Sequence, residues 1–535
     1  MPNDDPFLAL MSGHPPPPEL TALRRARRVL GGLDDSGTKA HPTMFDADVI
    51  SFAHGEGVRR PSAPVVAAGV RALLDTERAS LENYLFLQRS AAFDAAAARA
   101  FERIGVPRAV AGNLALDAGS TRLLLGVLHL LARPGGVVLT APGYYHPLSA
   151  WCALHGLRLV CLPTARTRSY KLTAADLSEW WEKHVVAGAT PPPRLLMLFN
   201  PSICGAVHDA EDLADIARFV RRTDMVAVED AIFAETEFAG TPGPRLAAMP
   251  GMEDRVLTVT GGSKLHGLAN IRIAWACGPK PLVDRLDAHV VTTSATLPQV
   301  ARHMAVAALE AMETDPGYAA ANREECAWRS ARIAVLADRV SADLAAAYEL
   351  PNGPAVTVDF PPAAGHAMLL SFEGLRGLVT PSGAVLEDGI DLVRFFLEEA
   401  RVAFSPGLSI GWGGCRVRCT YACVGTPATF PASEASEAAA VLRALADWWG
   451  ERPGLGDAAT PLAHTLRDLA DRLPPPPESD FASGRQAIEQ AFLNRVLPAL
   501  HRLCAANGLA KRRHRERAAA GGAGEPSTAP LGAGR

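Results

Sequence analysis

VLTVTGGSKLHGLANIRIAWA, residues 256–276, sets two apolar strand-like runs, VLTV at 256–259 and RIAWA at 272–276, on either side of a small-residue loop that carries Lys264. Short runs of this kind bounded by glycine predict buried strands. The chain holds six lysines (Lys39, Lys171, Lys183, Lys264, Lys280 and Lys511) against 47 arginines, so arginine is its default cation. A lysine kept in an apolar, glycine-rich loop points to chemistry, because an amine can lose its proton and attack a carbonyl whereas a guanidinium stays protonated. Arg272 follows eight residues after it, at the expected start of the next strand.

Outward from this stretch, the same kind of run recurs as VVLT at 137–140, LRLVCL at 157–162, LLMLF at 195–199 and MVAV at 225–228. Between the runs lie helical patterns, such as 120–132 with Leu123, Leu124, Val127, Leu130 and Leu131, and 210–222 with Leu213, Ile216, Phe219 and Val220. Alternation of this kind predicts an α/β domain around a mostly parallel sheet flanked by helices. From 297 to 349 the pattern is helical. Beyond it, HAMLLSF at 366–372 and RVRCTYACV at 416–424 predict strands of a second, smaller α+β domain. The expected organisation is a flexible arm over 1–45, with order beginning near Val49, a large domain over 46–320 and a small one over 321–450. A helical extension over 451–510, with a helix near 460–473 and another interrupted by Pro498, precedes a disordered tail over 511–535.

The 535 residues, 48% of them hydrophobic, suffice for two cores, and the net charge of -4 gives no basic footprint for nucleic acid. The first twenty residues, MPNDDPFLALMSGHPPPPEL, lack a charged start followed by an apolar stretch, and no run approaches the length of a membrane span. Nine scattered cysteines suit reduced thiols, so a cytoplasmic protein is expected. If RVRCTYACV is a strand, Arg416 and Arg418 share one face and Cys415, Cys419 and Cys423 the other. Cysteines four apart on a strand stand about 13 Å from one another, too far to hold one ion, so core and no metal is expected there.

In α/β sheets ligands gather beyond the carboxyl ends of the strands. After VLTV stands Lys264, after MVAV stand Glu229 and Asp230, and after LLMLF stands Asn200-Pro201-Ser202. DAGSTRLLL at 117–125 opens a helix at Gly119-Ser120-Thr121, whose unpaired N–H groups and dipole suit a phosphate.

GGSKLHGLANIRIAW resembles the Schiff-base loop of the class I/II aminotransferases, with the aspartate aminotransferase fold, in which an arginine follows the lysine by eight residues. MVAVEDAIFAE resembles that family's strand ending in the aspartate that pairs with the pyridine nitrogen. ARVAFSPGLSIGWGGCRVRCTYA resembles the Ser-Pro-Gly turn and following strand of the aminocyclopropane-carboxylate synthase subset. The resemblance covers roughly residues 45–425 and implies a PLP-dependent transferase fold in which the large domain binds pyridoxal 5'-phosphate.

It implies a Schiff base on Lys264, with Ser263 beside it and Asp230 at the ring nitrogen. The phosphate falls to Gly119, Ser120, Thr121 and Arg272. In LTAPGYYHPL at 139–148, Tyr144 matches the residue that stacks on the ring, with Tyr145 as the one-residue alternative. Tyr84 in ENYLFLQ at 82–88 matches a tyrosine that reaches the phosphate of a neighbouring subunit, which implies a homodimer. Arg418 matches the residue that grips the substrate carboxylate with two parallel hydrogen bonds.

Departures from the family pattern bear on the reaction. Phe233 stands where a tyrosine hydroxyl commonly bonds the cofactor's ring oxygen, Gly261 replaces a serine, and Asn270 replaces a glycine. NPSICG at 200–205 leaves Asn200 or Ser202 to contact the ring oxygen, with Asn200 favoured. His54 and His266 are each a pocket residue or a packing residue. The expected function is aminotransfer between an amino acid and a 2-oxo acid. The alternative is a lyase, cyclase or γ-replacement enzyme acting on an S-adenosylmethionine-type substrate. A transcription regulator with an aminotransferase-like sensor is disfavoured, because residues 1–45 are too rich in proline for a winged helix.

Overall fold

A computed structural model describes residues 18–34, 37–55, 57, 61–74, 90–107, 109–131, 133–425, 431–450, 459–472 and 481–509. Its strands in chain order are β1 (Ile50–Ser51), β2 (Leu114–Asp117), β3 (Val137–Thr140), β4 (Arg158–Cys161), β5 (Leu195–Phe199), β6 (Val226–Asp230), β7 (Val256–Gly261), β8 (Ala274–Cys277), β9 (Thr357–Val358), β10 (Ala367–Ser371), β11 (Val402–Ala403), β12 (Ser405–Pro406) and β13 (Arg416–Thr420).

Seven of these form the large sheet, in the order β2-β8-β7-β6-β5-β3-β4. Neighbours are parallel except that β8 runs antiparallel to both β2 and β7. The uninterrupted apolar runs are explained by burial on both faces. On β5, Leu196 and Leu198 point into one core, and Leu195, Met197 and Phe199 into the other. Helices Ser120–Leu131 and Lys280–Ser294 cover the second face, while Ala91–Arg103, Ala210–Arg222 and Gln299–Thr314 cover the first. The fold is that expected: a PLP-dependent transferase architecture with a mostly parallel sheet between helical layers.

A four-stranded antiparallel sheet, β12-β13-β10-β9, forms the smaller unit. Core membership changes between Leu309, which belongs to the large sheet, and Cys326, which belongs to the small one. The 32-residue helix Pro316–Ala347 carries the chain across. Pairing of β1 with β11 ties the start of the chain to the small unit.

Three expectations need correction. Residues 18–30 form a helix, Pro18–Leu30, rather than part of a flexible arm. Ala26 and Val29 are buried in the small unit's core, and Arg25 pairs with Asp391 at 3.1 Å. The cluster Arg24, Arg25, Arg27 and Arg28 hides this narrow apolar face from a reading of composition. Pro498 does not interrupt its helix: the backbone stays helical from Ala482 to Ala506 and widens into a π-helical stretch over Gln490–Val496. Widening just ahead of a proline accommodates the ring and the missing N–H donor. Finally, Arg272 precedes β8 instead of opening it, with a left-handed φ of 61°.

Among the described residues no helix is long and apolar enough to cross a membrane, and no group of three or more His, Cys, Asp or Glu is placed to hold a metal ion. Cys415 and Cys419 lie in the core, while Cys423, beyond the strand, turns its thiol toward the carbonyls of Ser51, His54 and Thr420.

Candidate active site

Because β2, β3, β5, β6 and β7 run the same way, their carboxyl ends share one edge of the sheet, and antiparallel β8 brings its amino end there too. A cavity of about 330 Å³ opens at this edge, between the large sheet and the β10–β13 pair. Ser120, Thr121, Asp230, Ser263, Lys264, Arg272 and Arg418 all line it. Seven residues drawn from both halves of the molecule thus converge on one hollow.

Lys264 lies in the turn after β7, and its Nζ donates to the Gly55 carbonyl at 2.6 Å. Gly261 ends β7 where β8 comes so close that a side chain would sit 2.7 Å from the Ala274 Cβ. Packing against the neighbouring strand therefore accounts for glycine at 261.

Asp230 is the last residue of β6 and is buried. Its carboxylate accepts a hydrogen bond from the Ile232 N–H at 3.0 Å. Burial pushes its pKa up to about 6, a shift opposed by that hydrogen bond and by the positive charge of Lys264. A cationic N–H brought against this carboxylate would relieve the cost of burying it.

At the other end of the hollow, helix Ser120–Leu131 starts directly after Gly119, whose φ is +93°. A Cβ at Gly119 would lie 2.3 Å from Arg272 Nη2, so the guanidinium rests on the turn itself. The left-handed backbone at Arg272 aims it there. Helix N–H groups, two hydroxyls and an arginine make a cradle for a phosphate dianion. The residues present therefore fit pyridoxal phosphate: an anion cradle, a buried carboxylate and an amine around one cavity of suitable size.

Arg418 sits on β13 between Leu369 of β10 and Ser405 of β12. Its Nη2 donates to the Ala53 carbonyl at 2.9 Å and to Ser405 Oγ at 3.1 Å, which fixes the guanidinium at the cavity wall. Arg416 instead pairs with Asp359 at 2.8 Å and Glu373 at 2.9 Å.

Other expectations are not met. Tyr144 packs in the core on the helix side of the sheet, and Tyr145 lines the cavity, its hydroxyl hydrogen-bonded to Thr121 Oγ1 at 3.2 Å. Asn200 faces inward: its amide donates to Glu229 Oε1 and the Pro244 carbonyl, each at 3.0 Å, and its oxygen accepts from the His208 N–H. Ser202 Oγ accepts from the Ala206 N–H, and Ile203 lines the cavity nearby. Neither candidate for the ring oxygen lines the hollow, which Pro201 and Ile203 of the same turn do. His266 is buried against Trp275, whereas His54 lines the cavity. Tyr84 lies outside the described residues.

Two cavity histidines were not anticipated, His146 and His366. His366 stands at the head of an apolar run and looks like core in the sequence. Only the β10–β13 pairing, which carries it to the cavity, marks it out.

Fold and site together define a class, and comparison with known proteins agrees. Residues 47–431 match the family model for aminotransferase class I and II. The chain belongs to that family. It is 24% identical over 379 residues to the bifunctional aspartate aminotransferase and glutamate/aspartate-prephenate aminotransferase of Petunia hybrida, a match covering 70% of this chain and 73% of that one. It is 25% identical over 193 residues to the aspartate aminotransferase of Musicola paradisiaca, covering 36% of this chain and 46% of that one. The chain thus spans about half the length of several curated relatives that it matches. In structure it is similar to the aspartate aminotransferase from Rhizobium meliloti, with a TM-score of 0.62, 20% identity, and coverage of 87% of this chain and 98% of that one.

Proposed function

We propose that this chain is an aminotransferase that carries pyridoxal phosphate on Lys264 and exchanges amino groups between an α-amino acid and a 2-oxo acid. The observation that carries the proposal is the convergence of Lys264, Asp230, Arg272 and Arg418 on one cavity. Family membership and the names of the relatives support it.

When bound, pyridoxal phosphate supplies an electron sink for the pair of electrons left when a bond at the substrate's α-carbon breaks. The chain's own residues do the rest. Arg272, Ser120, Thr121 and the helix start hold the phosphate, and Asp230 keeps a proton on the ring nitrogen. Arg418 would bind both oxygens of the α-carboxylate, and the Lys264 amine would move the proton at the α-carbon. Tyr145 holds Thr121 in place and offers its ring as a wall of the cavity.

The substrate, a homodimer and a cytoplasmic setting remain parts of this proposal. The lyase or cyclase alternative rests on the likeness of residues 400–422 to the synthase subset and on Phe233. The test is incubation of purified protein with single amino acids. Release of one 2-oxo acid per active site without added acceptor supports aminotransfer. Methylthioadenosine released from S-adenosylmethionine would support the alternative instead. Lys264→Ala should abolish either reaction.

A further inference from the structure

Pyridoxal phosphate bears a ring oxygen on the carbon next to the one that carries its aldehyde. On the reading that the aldehyde joins Lys264, that oxygen belongs in the neighbourhood of the lysine's side chain, and as an anion it needs a hydrogen-bond donor. Phe233, which lines the cavity with its ring centroid 5.8 Å from Lys264 Nζ, has none to give. Asn200 spends its amide on Glu229 and Pro244. The Tyr145 hydroxyl is engaged with Thr121 at the phosphate end.

His366 stands in this gap. It lines the cavity, is 4% exposed, and its Nδ1 is shielded from solvent with no hydrogen-bond partner among the described residues. Its ring meets Phe233 edge-on, with centroids 5.4 Å apart and planes at 81°. A methyl placed on Gly57 would touch both the Lys264 carbonyl at 2.7 Å and His366 Cε1 at 3.5 Å, so histidine and lysine flank the same small space. An imidazole buried without a partner costs stability unless a bound group completes it. Burial, and then the charge of Lys264, push its pKa down to about 3, so the ring is neutral and keeps one N–H to donate.

Resting on the coenzyme reading above, we propose that His366 is the residue that donates a hydrogen bond to the ring oxygen of pyridoxal phosphate, taking over a task that neither Phe233 nor Asn200 can perform here. Thr420 Oγ1 is another shielded cavity atom with no hydrogen-bond partner among the described residues, but it lies on β13 opposite Ala367, along the strand that carries Arg418. That position suits a contact with substrate.

The experiment uses the full chain, stripped of coenzyme and titrated with pyridoxal phosphate in the absence of substrate, reading both affinity and the pH midpoint of the visible absorption. His366→Phe should bind about tenfold more weakly, the usual worth of one buried hydrogen bond, and its midpoint should move upward, because an unshared ring oxygen holds the neighbouring proton more tightly. Adding Phe233→Tyr to His366→Phe should restore both values, and His366→Gln, which keeps a donor, should stay within about threefold of wild type. Asp230, Lys264, Arg272, Arg418, Tyr145, His54 and His146 are the other titratable groups lining the cavity, and they are unchanged in every variant. Should His366→Phe not fold, His366→Leu, which also lacks a donor, is read in its place: its midpoint should move upward, and an unmoved midpoint overturns the proposal. So does a His366→Phe protein with unaltered affinity and midpoint but a raised KM, or a Thr420→Val protein that shows the shift in its place. A wild-type chain that takes up no coenzyme overturns the coenzyme reading together with this one.

Discussion

Asp230 ends β6 with its carboxyl buried and its pKa raised to about 6, from an ordinary value near 4. Between those values the folded protein binds more protons at this site than the unfolded chain, so its stabilising contribution is present below pH 4 and lost as pH rises through 6. The linkage is worth about 3 kcal/mol. Asp230→Asn should therefore make the coenzyme-free protein more stable relative to wild type at pH 7 than at pH 4, in denaturant titrations at the two values. A difference that does not change with pH would contradict the assigned burial. Arg418 is held by Ala53 and Ser405 with its planar fork at the cavity wall. Arg418→Lys keeps the charge and loses the fork, so KM for the amino acid should rise about tenfold or more, with a smaller change in kcat. Equal effects on both constants would place the arginine elsewhere in the reaction.

Two elements meet at the phosphate cradle: the turn into helix Ser120–Leu131 and the loop before β8. Gly119 joins them, because its φ of +93° and the guanidinium resting on it leave no room for a Cβ. Gly119→Ala should weaken coenzyme binding about tenfold or more in a fluorescence titration, through displacement of Arg272. Unchanged affinity would mean that the turn is not the anion site. The same elements show how far the sequence could be read. Lys264, Asp230, Ser120 and Arg272 were legible because each follows or precedes an apolar run whose end marks the sheet edge. Tyr144 versus Tyr145, and Asn200 versus Ser202, were not, since one residue of rotation in a turn exchanges core for cavity and no periodicity records it. His366 was hidden in the strand-like run HAMLLSF, where a histidine has the same neighbours whether it packs or binds.

Across the whole molecule, the carboxyl-terminal helices join the small unit's core. Ile488, Phe492, Val496, Leu500 and Leu503 are fully buried in it. Phe492 meets Phe52 edge-on at 6.0 Å, and Phe52 stacks on Phe404 at 5.3 Å, close to the strand pair that presents Arg418. Arg485 and Arg329 share the buried Glu325, binding this helix to Pro316–Ala347. Residues 481–509 thus stabilise the wall of the site, a role that polar linkers on either side conceal in the sequence. Phe492→Ala should cost about 3–5 kcal/mol of stability in chemical denaturation, as deletion of a fully packed phenylalanine does. A loss below about 1 kcal/mol would show the helix to be an appendage.

With six lysines in 535 residues, the claim that one amine carries the coenzyme can be read without ambiguity. Wild-type protein incubated with pyridoxal phosphate, reduced with borohydride and digested should yield one peptide of increased mass, the one containing Lys264. Attachment at any of the other five, or no attachment, would contradict the account.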